Sequence, residues 1–128
     1  MANLITTTYQ LNGSKLFTVK VDIVGDGSGD EAASALITTA ALTGTPSTFK
    51  IRAIQWELVG FTAQLLWDAT SDVQAFVLPQ GVAGGIRFAD TGQHLVNNAS
   101  TGKTGTLNIT TAGLGATGRG TIIIEGQH

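Results

Sequence analysis

The residues from Leu16 to Val24 alternate without a fault, with Phe17, Val19, Val21 and Ile23 on one face and Thr18, Lys20 and Asp22 on the other. Such a period of two predicts a strand with one face in a core and one in water. Ile5, Thr7, Tyr9 and Leu11 alternate just before it, and the intervening Asn12-Gly13 is a hairpin turn signal. The chain is therefore expected to open with a hairpin. From Phe49 to Val59 the pattern slips once. Phe49, Ile51 and Ala53 share one face and Ile54, Trp56 and Leu58 the next, so a β-bulge is predicted at Ala53-Ile54. Beyond Gly60 the alternation resumes through Phe61, Ala63, Leu65 and Trp67, which predicts a bend at that glycine.

Shorter strands are expected over Val73–Leu78, stopped by Pro79, and over Ile86–Phe88 after a flexible Gly81–Gly85 loop, with a weaker one at His94–Val96. Thr104–Thr110 and Thr121–Glu125 close the series. Gly25–Glu31 reads as a polar break, and Ala32–Leu42 carries mixed helix and strand signals. Many short strands separated by regular turn signals predict an all-β chain, a β-sandwich of jelly-roll type with long Gly-rich loops. Composition agrees: the 128 residues hold 19 Thr and 17 Gly but only 2 Pro. Thr favours strands and Gly serves turns and bulges. A chain of this length is expected to form one domain, residues 1–128.

Charge narrows the function classes. Charged residues make up 12% of the chain, the net charge is −2, and the seven Lys and Arg are scattered rather than gathered into a stripe. Nucleic acid is not expected as a partner. The apolar runs fall far short of the roughly 20 residues that span a bilayer, so no membrane partner is expected either. No Cys is present, which removes disulfides and thiolate metal sites. The N-terminus has neither the basic nor the apolar region of a secretory signal, so synthesis in a cytosol is expected, and the sequons at Asn12, Asn98 and Asn108 read as chance.

Two glycine motifs invite a nucleotide reading. Gly113-Leu114-Gly115-Ala116-Thr117-Gly118 has the spacing of a dinucleotide fingerprint, and Gly102-Lys103-Thr104 the ending of a P-loop. Both motifs need a helix directly after them, whose N-terminus holds the phosphates. Arg119–Ile124 and Gly105–Ile109 instead read as strands, and Asn97 stands where the P-loop needs its first glycine. A mobile hairpin loop and a solvated turn are expected, with no cofactor. Asp26, Ser28 and Asp30 have the odd-position oxygens of a calcium loop, but Glu31 and Ile37 occupy the positions an EF-hand gives to Gly and Glu. A polar connection is the expectation, with a cation on Asp26, Asp30 and Glu31 as the alternative.

No catalytic residue is expected. The histidines are His94, whose only acidic neighbour is Asp90, and a terminal His128 expected to fray. Asp68 and Asp72 read as a turn with Asx-type bonding. Trp56 is expected in the core, while Trp67, ending its strand beside polar residues, is a candidate contact residue.

From Ile54 to its end the chain resembles small structural proteins of tailed bacteriophages. The residues that carry the resemblance are "IQWELVGFTAQLLWDAT", "LPQGVAGG", "NNASTGKTGTLNITTAGL" and the closing "GTIIIEGQH". It implies a non-enzymatic virion component, among them capsid decoration (cement) proteins that sit on the major capsid protein, often as trimers. The composition points the same way, because 42% hydrophobic residues beside so little charge is more than one small sandwich needs inside. A homotrimer on the capsid surface is the resulting expectation, with Met1–Thr8 as an extended arm and Leu4, Ile5, Thr6, Thr7 and Trp67 as contact residues. The alternative expectation is a carbohydrate-binding module of a tail or fibre, using Trp67 as its platform.

Overall fold

Nine strands account for most of the chain in the computed structural model, which describes residues 3–88 and 94–128. They are β1 (Leu4–Asn12), β2 (Leu16–Val24), β3 (Ser34–Ile37), β4 (Lys50–Val59), β5 (Thr62–Trp67), β6 (Val73–Leu78), β7 (Gly81–Arg87), β8 (Leu107–Ala112) and β9 (Arg119–Gln127). A 3-10 turn at Thr39–Ala41 comes after β3, so the mixed signals of that region resolve into a short strand and a single turn.

All pairings are antiparallel and build two sheets, in the orders β1-β2-β9-β4-β7 and β3-β8-β5-β6. Apart from β1, each strand of the first half pairs with its counterpart counted from the end: β2 with β9, β3 with β8, β4 with β7, β5 with β6. That is one long hairpin rolled into a sandwich, the jelly roll expected from the strand spacing. Gly60, at φ +87°, makes the bend between β4 and β5 where the chain leaves one sheet for the other.

The core lies between the sheets. Phe17, Val19, Val21 and Ile23 of β2 are all buried, as their alternation required, and each contributes roughly 1.5–3 kcal/mol of apolar burial. At its centre Phe49 stands edge-on to both Phe17 and Trp67, with ring centroids 5.2 and 5.4 Å away. A second aromatic group, Trp56, Phe76 and Phe88, packs edge-to-face toward the β7 side.

Three details depart from the pattern along the chain. The bulge of β4 lies between Ile51 and Ala53, one position early, and the register sets Ala53 opposite Glu125 and Arg87. A second bulge, at Gln10, turns Leu11 out of the face of Ile5, Thr7 and Tyr9 and sets it opposite Thr18 on the outer side. Gly81–Gly85 is not a loop but most of β7, because β4 offers a ladder of backbone partners that a glycine run accepts without steric cost. His94–Val96 contributes a single bridge, Leu95 to Ile51.

Gly126 of β9 faces Phe17 across the ladder, and a Cβ there would enter the Phe17 ring. Gly126→Ala should therefore cost about 2 kcal/mol and lower the urea midpoint without changing the far-UV spectrum. Val21→Asp, which sets an unpaired charge in the same core, should leave no folded protein; a cooperative melt from that variant contradicts the packing described.

Candidate functional site

The glycine motifs serve packing. Gly113–Gly118 joins β8 to β9, and the chain continues from it as a strand rather than a helix. Gly113 turns the chain at φ +80°, and Leu114 then buries its side chain in the core. A Cβ on Gly118 would stand 2.6 Å from the Leu114 side chain, whereas one on Gly115 would meet nothing. The turn is not free: Gly25 donates to Gly118 O at 2.9 Å, and the Arg119 guanidinium reaches the carbonyls of Gly25, Ala116 and Gly118. The second motif is likewise a turn, closed by Lys103 N donating to Ser100 O at 3.0 Å and docked on Thr70, whose N–H donates to Thr101 O.

The carboxylates of the 26–31 connection go separate ways. Asp30 Oδ1 accepts from Leu114 N at 2.7 Å and from Thr111 Oγ1 at 3.2 Å, so this loop pins the Gly113–Gly118 turn. Glu31 accepts from Asn3 Nδ2 at 2.9 Å and Ser34 Oγ at 2.8 Å. Asp26 Oδ1 accepts from Ser28 N at 2.9 Å, an Asx-type bond. Among the described residues no three His, Asp or Glu side chains gather as metal ligands, and the structure does not bring Asp26, Asp30 and Glu31 together as a cation site.

Asp68 accepts from Thr104 Oγ1 at 2.6 Å and Asn108 Nδ2 at 3.0 Å, while Asp72 accepts from Ala69 N. His94 makes no side-chain bond among the described residues, and Asp90 lies outside them. His128 is not frayed: its N–H donates to Lys15 O at 2.8 Å and its ring stacks near Phe17. Neither histidine is bonded to a carboxylate or hydroxyl among the described residues.

Of the two tryptophans only Trp67 departs from its expected place; Trp56 packs against the core through Phe76. Trp67 is fully buried beneath Phe49, since the last residue of β5 still points between the sheets, and it can contact no partner. Trp56 is only half-buried, because it sits toward the β7 margin opposite Gly84, which has no side chain to cover it. The expected arm is corrected too. Met1 and Ala2 lie outside the described residues, but Leu4–Thr8 is the paired start of β1, with Ile5 and Thr7 turned inward and Leu4 and Thr6 outward.

One surface open to solvent is the outer face of the five-stranded sheet. Register lines its outward residues into rows that cross the strands: Leu4, Val24, Arg119 and Val59; then Thr6, Asp22, Thr121 and Glu57; then Thr8, Lys20, Ile123, Gln55 and Gly85. Two features stand at opposite margins. At the β1 margin Leu4 (61% exposed), Leu11 and Leu16 face solvent beside an edge strand that carries no charged residue. At the β4–β7 margin a groove of about 500 Å³ is lined by Gln55, Trp56, Glu57, Gly84, Gly85, Thr121 and Ile123. Sequence reasoning missed the groove; its one signal was the Gly84-Gly85 pair, which reads as flexibility rather than as missing side chains.

No family model matches this chain, and no curated protein does. Among solved structures it is similar to a cupin domain from Bordetella pertussis Tohama I, with 12% identity, a TM-score of 0.38 and coverage of 100% of this chain and 98% of that one. It is also similar to the cobalt(II) form of HppE in complex with Tris buffer, with 9% identity, a TM-score of 0.34 and coverage of 100% and 56%. Hydroxypropylphosphonic acid epoxidase from S. wedmorenis matches at 9% identity and a TM-score of 0.33, covering 98% and 55%. Likenesses this distant carry no argument; the strand order alone defines the chain as a jelly-roll β-sandwich.

The loop contacts set the response to pH. The backbone N–H of Leu114 holds the Asp30 carboxyl below the ordinary aspartate range, and the Thr104 hydroxyl does the same for Asp68. A folded-state value below the unfolded one contributes stability that is present above the ordinary range and lost as pH falls through the folded value. Stability should thus be level near neutrality and decline on acidification, and Asp30→Asn or Asp68→Asn should flatten that decline in urea titrations at several pH values. In the glycine loop, Gly115→Ala should leave the melting temperature unchanged while Gly118→Ala, whose Cβ would crowd Leu114, lowers it.

Proposed function

We propose that this chain is a non-enzymatic structural protein of a tailed-phage virion, a decoration (cement) subunit that stabilises the head through contacts with the major capsid protein. The observation that carries the reading is the β1 margin. A nine-residue uncharged edge strand offers unpaired backbone groups, and Leu4, Leu11 and Leu16 expose apolar surface along it. Isolated proteins guard such edges with charge or proline, and this one does not, which suits a margin that is covered in an assembly. The sequence resemblance supplies the class of partner. The subunit is made in the host cytoplasm and works on the capsid surface. It self-associates as a homotrimer, whose three-fold axis matches symmetry axes of an icosahedral shell and whose cyclic closure prevents open-ended growth.

The contacts at the margin come from the outward Leu4 and Thr6 and from the backbone edge of Ile5 and Thr7, not from Trp67. The alternative glycan module loses its Trp67 platform for the same reason. In co-sedimentation with tailed-phage heads built of the proposed major capsid partner, the wild type should pellet. The Leu4→Lys/Leu11→Lys/Leu16→Lys variant should remain folded and stay in the supernatant. Equal pelleting of both removes the β1 margin as the contact, and light scattering that gives a monomer mass at micromolar concentration removes the trimer.

A further inference from the structure

We propose that Asn12 is a modification site, where deamidation through a cyclic imide with Gly13 opens a latch between two turns. The chemistry begins in the sequence, since Asn12 is the only asparagine of the chain that glycine follows. Glycine has no side chain to shield its backbone nitrogen from the carboxamide before it. In the step, Gly13 N attacks Asn12 Cγ, the Cγ–Nδ2 bond breaks, and the Gly13 proton leaves with that nitrogen as ammonia. Water then opens the ring at either carbonyl, which gives an aspartate or an isoaspartate at this position.

The fold uses the intact carboxamide as a two-sided connector. Asn12 Nδ2 donates to Ala41 O at 2.8 Å, and Oδ1 accepts from Thr43 N at 2.9 Å. The Thr43 hydroxyl lies 2.8 Å from Asn12 O and 3.1 Å from Oδ1. A carbonyl on one side and an N–H on the other fix which way the amide points. Asn12 thereby grips both neighbours of Leu42, whose side chain is buried in the core. Only an amide serves both sides. An aspartate keeps the acceptor for Thr43 but sets a carboxylate oxygen against Ala41 O with no proton between them. An isoaspartate also lengthens the main chain where Asn12 pairs with Phe17 and where His128 N donates to Lys15 O.

The same contacts hold the reaction in check. Attack requires the Asn12 side chain to leave Ala41 and Thr43, and Gly13 N to give up Leu16 O, to which it donates at 2.8 Å. Although Asn12 is exposed to water, deamidation therefore waits for local opening of this corner. Once it has occurred, the bond to Ala41 is lost and the change is one-way. The latch is a property of the single chain and does not rest on the capsid reading.

The test follows the mass of the peptide carrying Asn12, taken from the full chain kept in mildly alkaline buffer with and without urea. That peptide should gain the mass of deamidation at least about tenfold more slowly in the folded chain. Thr43→Val removes the hydroxyl contacts and should raise the folded rate about threefold, while the rate in urea stays the same. Gly13→Ala should suppress the gain even in urea. Asn12→Asp, which installs the product, should melt a few degrees lower and exchange its Thr39–Thr43 amide hydrogens faster. Equal rates with and without urea overturn the inference. So does an Asn12→Asp chain with wild-type melting and exchange, or another asparagine that deamidates ahead of Asn12 in urea.

Discussion

The last strand of the chain is the middle strand of its larger sheet. β9 lies between β2 and β4, paired with both along nearly its whole length, and every other element is placed with respect to that insertion. Its residues alternate Ile122, Ile124 and Gly126 inward with Thr121, Ile123 and Glu125 outward, so one strand supplies both the centre of the core and the centre of the exposed face. Gly126 is the narrowest point of the arrangement, since the Phe17 ring occupies the space where its side chain would be. The pairing of β2 with β9 joins opposite ends of the chain, so the sheet closes only after the rest of the hairpin has rolled up.

Loops keep the rolled hairpin closed. Asp30 holds the β8–β9 turn, Arg119 ties that turn back to Gly25, and Asp68 fastens both the segment before β8, through Thr104, and β8 itself, through Asn108. Each of these contacts uses a polar side chain or a glycine that in isolation would suggest chemistry. The glycines permit close approach of two backbones and the carboxylates accept from N–H, amide and hydroxyl groups that would otherwise lack partners. A phosphate-like motif and an acidic cluster are thereby committed to holding one end of the sandwich together.

With the motifs absorbed into structure, function moves to the surface, where the larger sheet separates two margins. The β1 margin is apolar and uncharged and has open backbone groups, properties that suit a protein neighbour. The β4–β7 margin is a shallow groove where the exposed side chains of Gln55 and Glu57 make no hydrogen bond or ion pair among the described residues. Between them Asp22 pairs with Lys20 and accepts from Thr121 Oγ1, which ties β2 to β9 on the outer face.

Strand identity was legible in the residues themselves. Alternation is a local property, so Phe17–Ile23 marked its own buried face and Phe49–Leu58 marked its own bulge to within one residue. The count and spacing of such runs were enough for a jelly roll. The same local rule could not place Trp56 and Trp67, because both alternate inward on their strands. The difference lies in the neighbour across the ladder or between the sheets, Phe49 over Trp67 and a bare glycine beside Trp56. Nor could it show that Leu4–Thr8 is a paired edge rather than a free arm, or that Gly81–Gly85 is a strand, since an edge and a glycine strand exist only through their partners. Side-chain period is written along the chain; exposure at a given position depends on which distant residue lies opposite, and only tertiary pairing decides that.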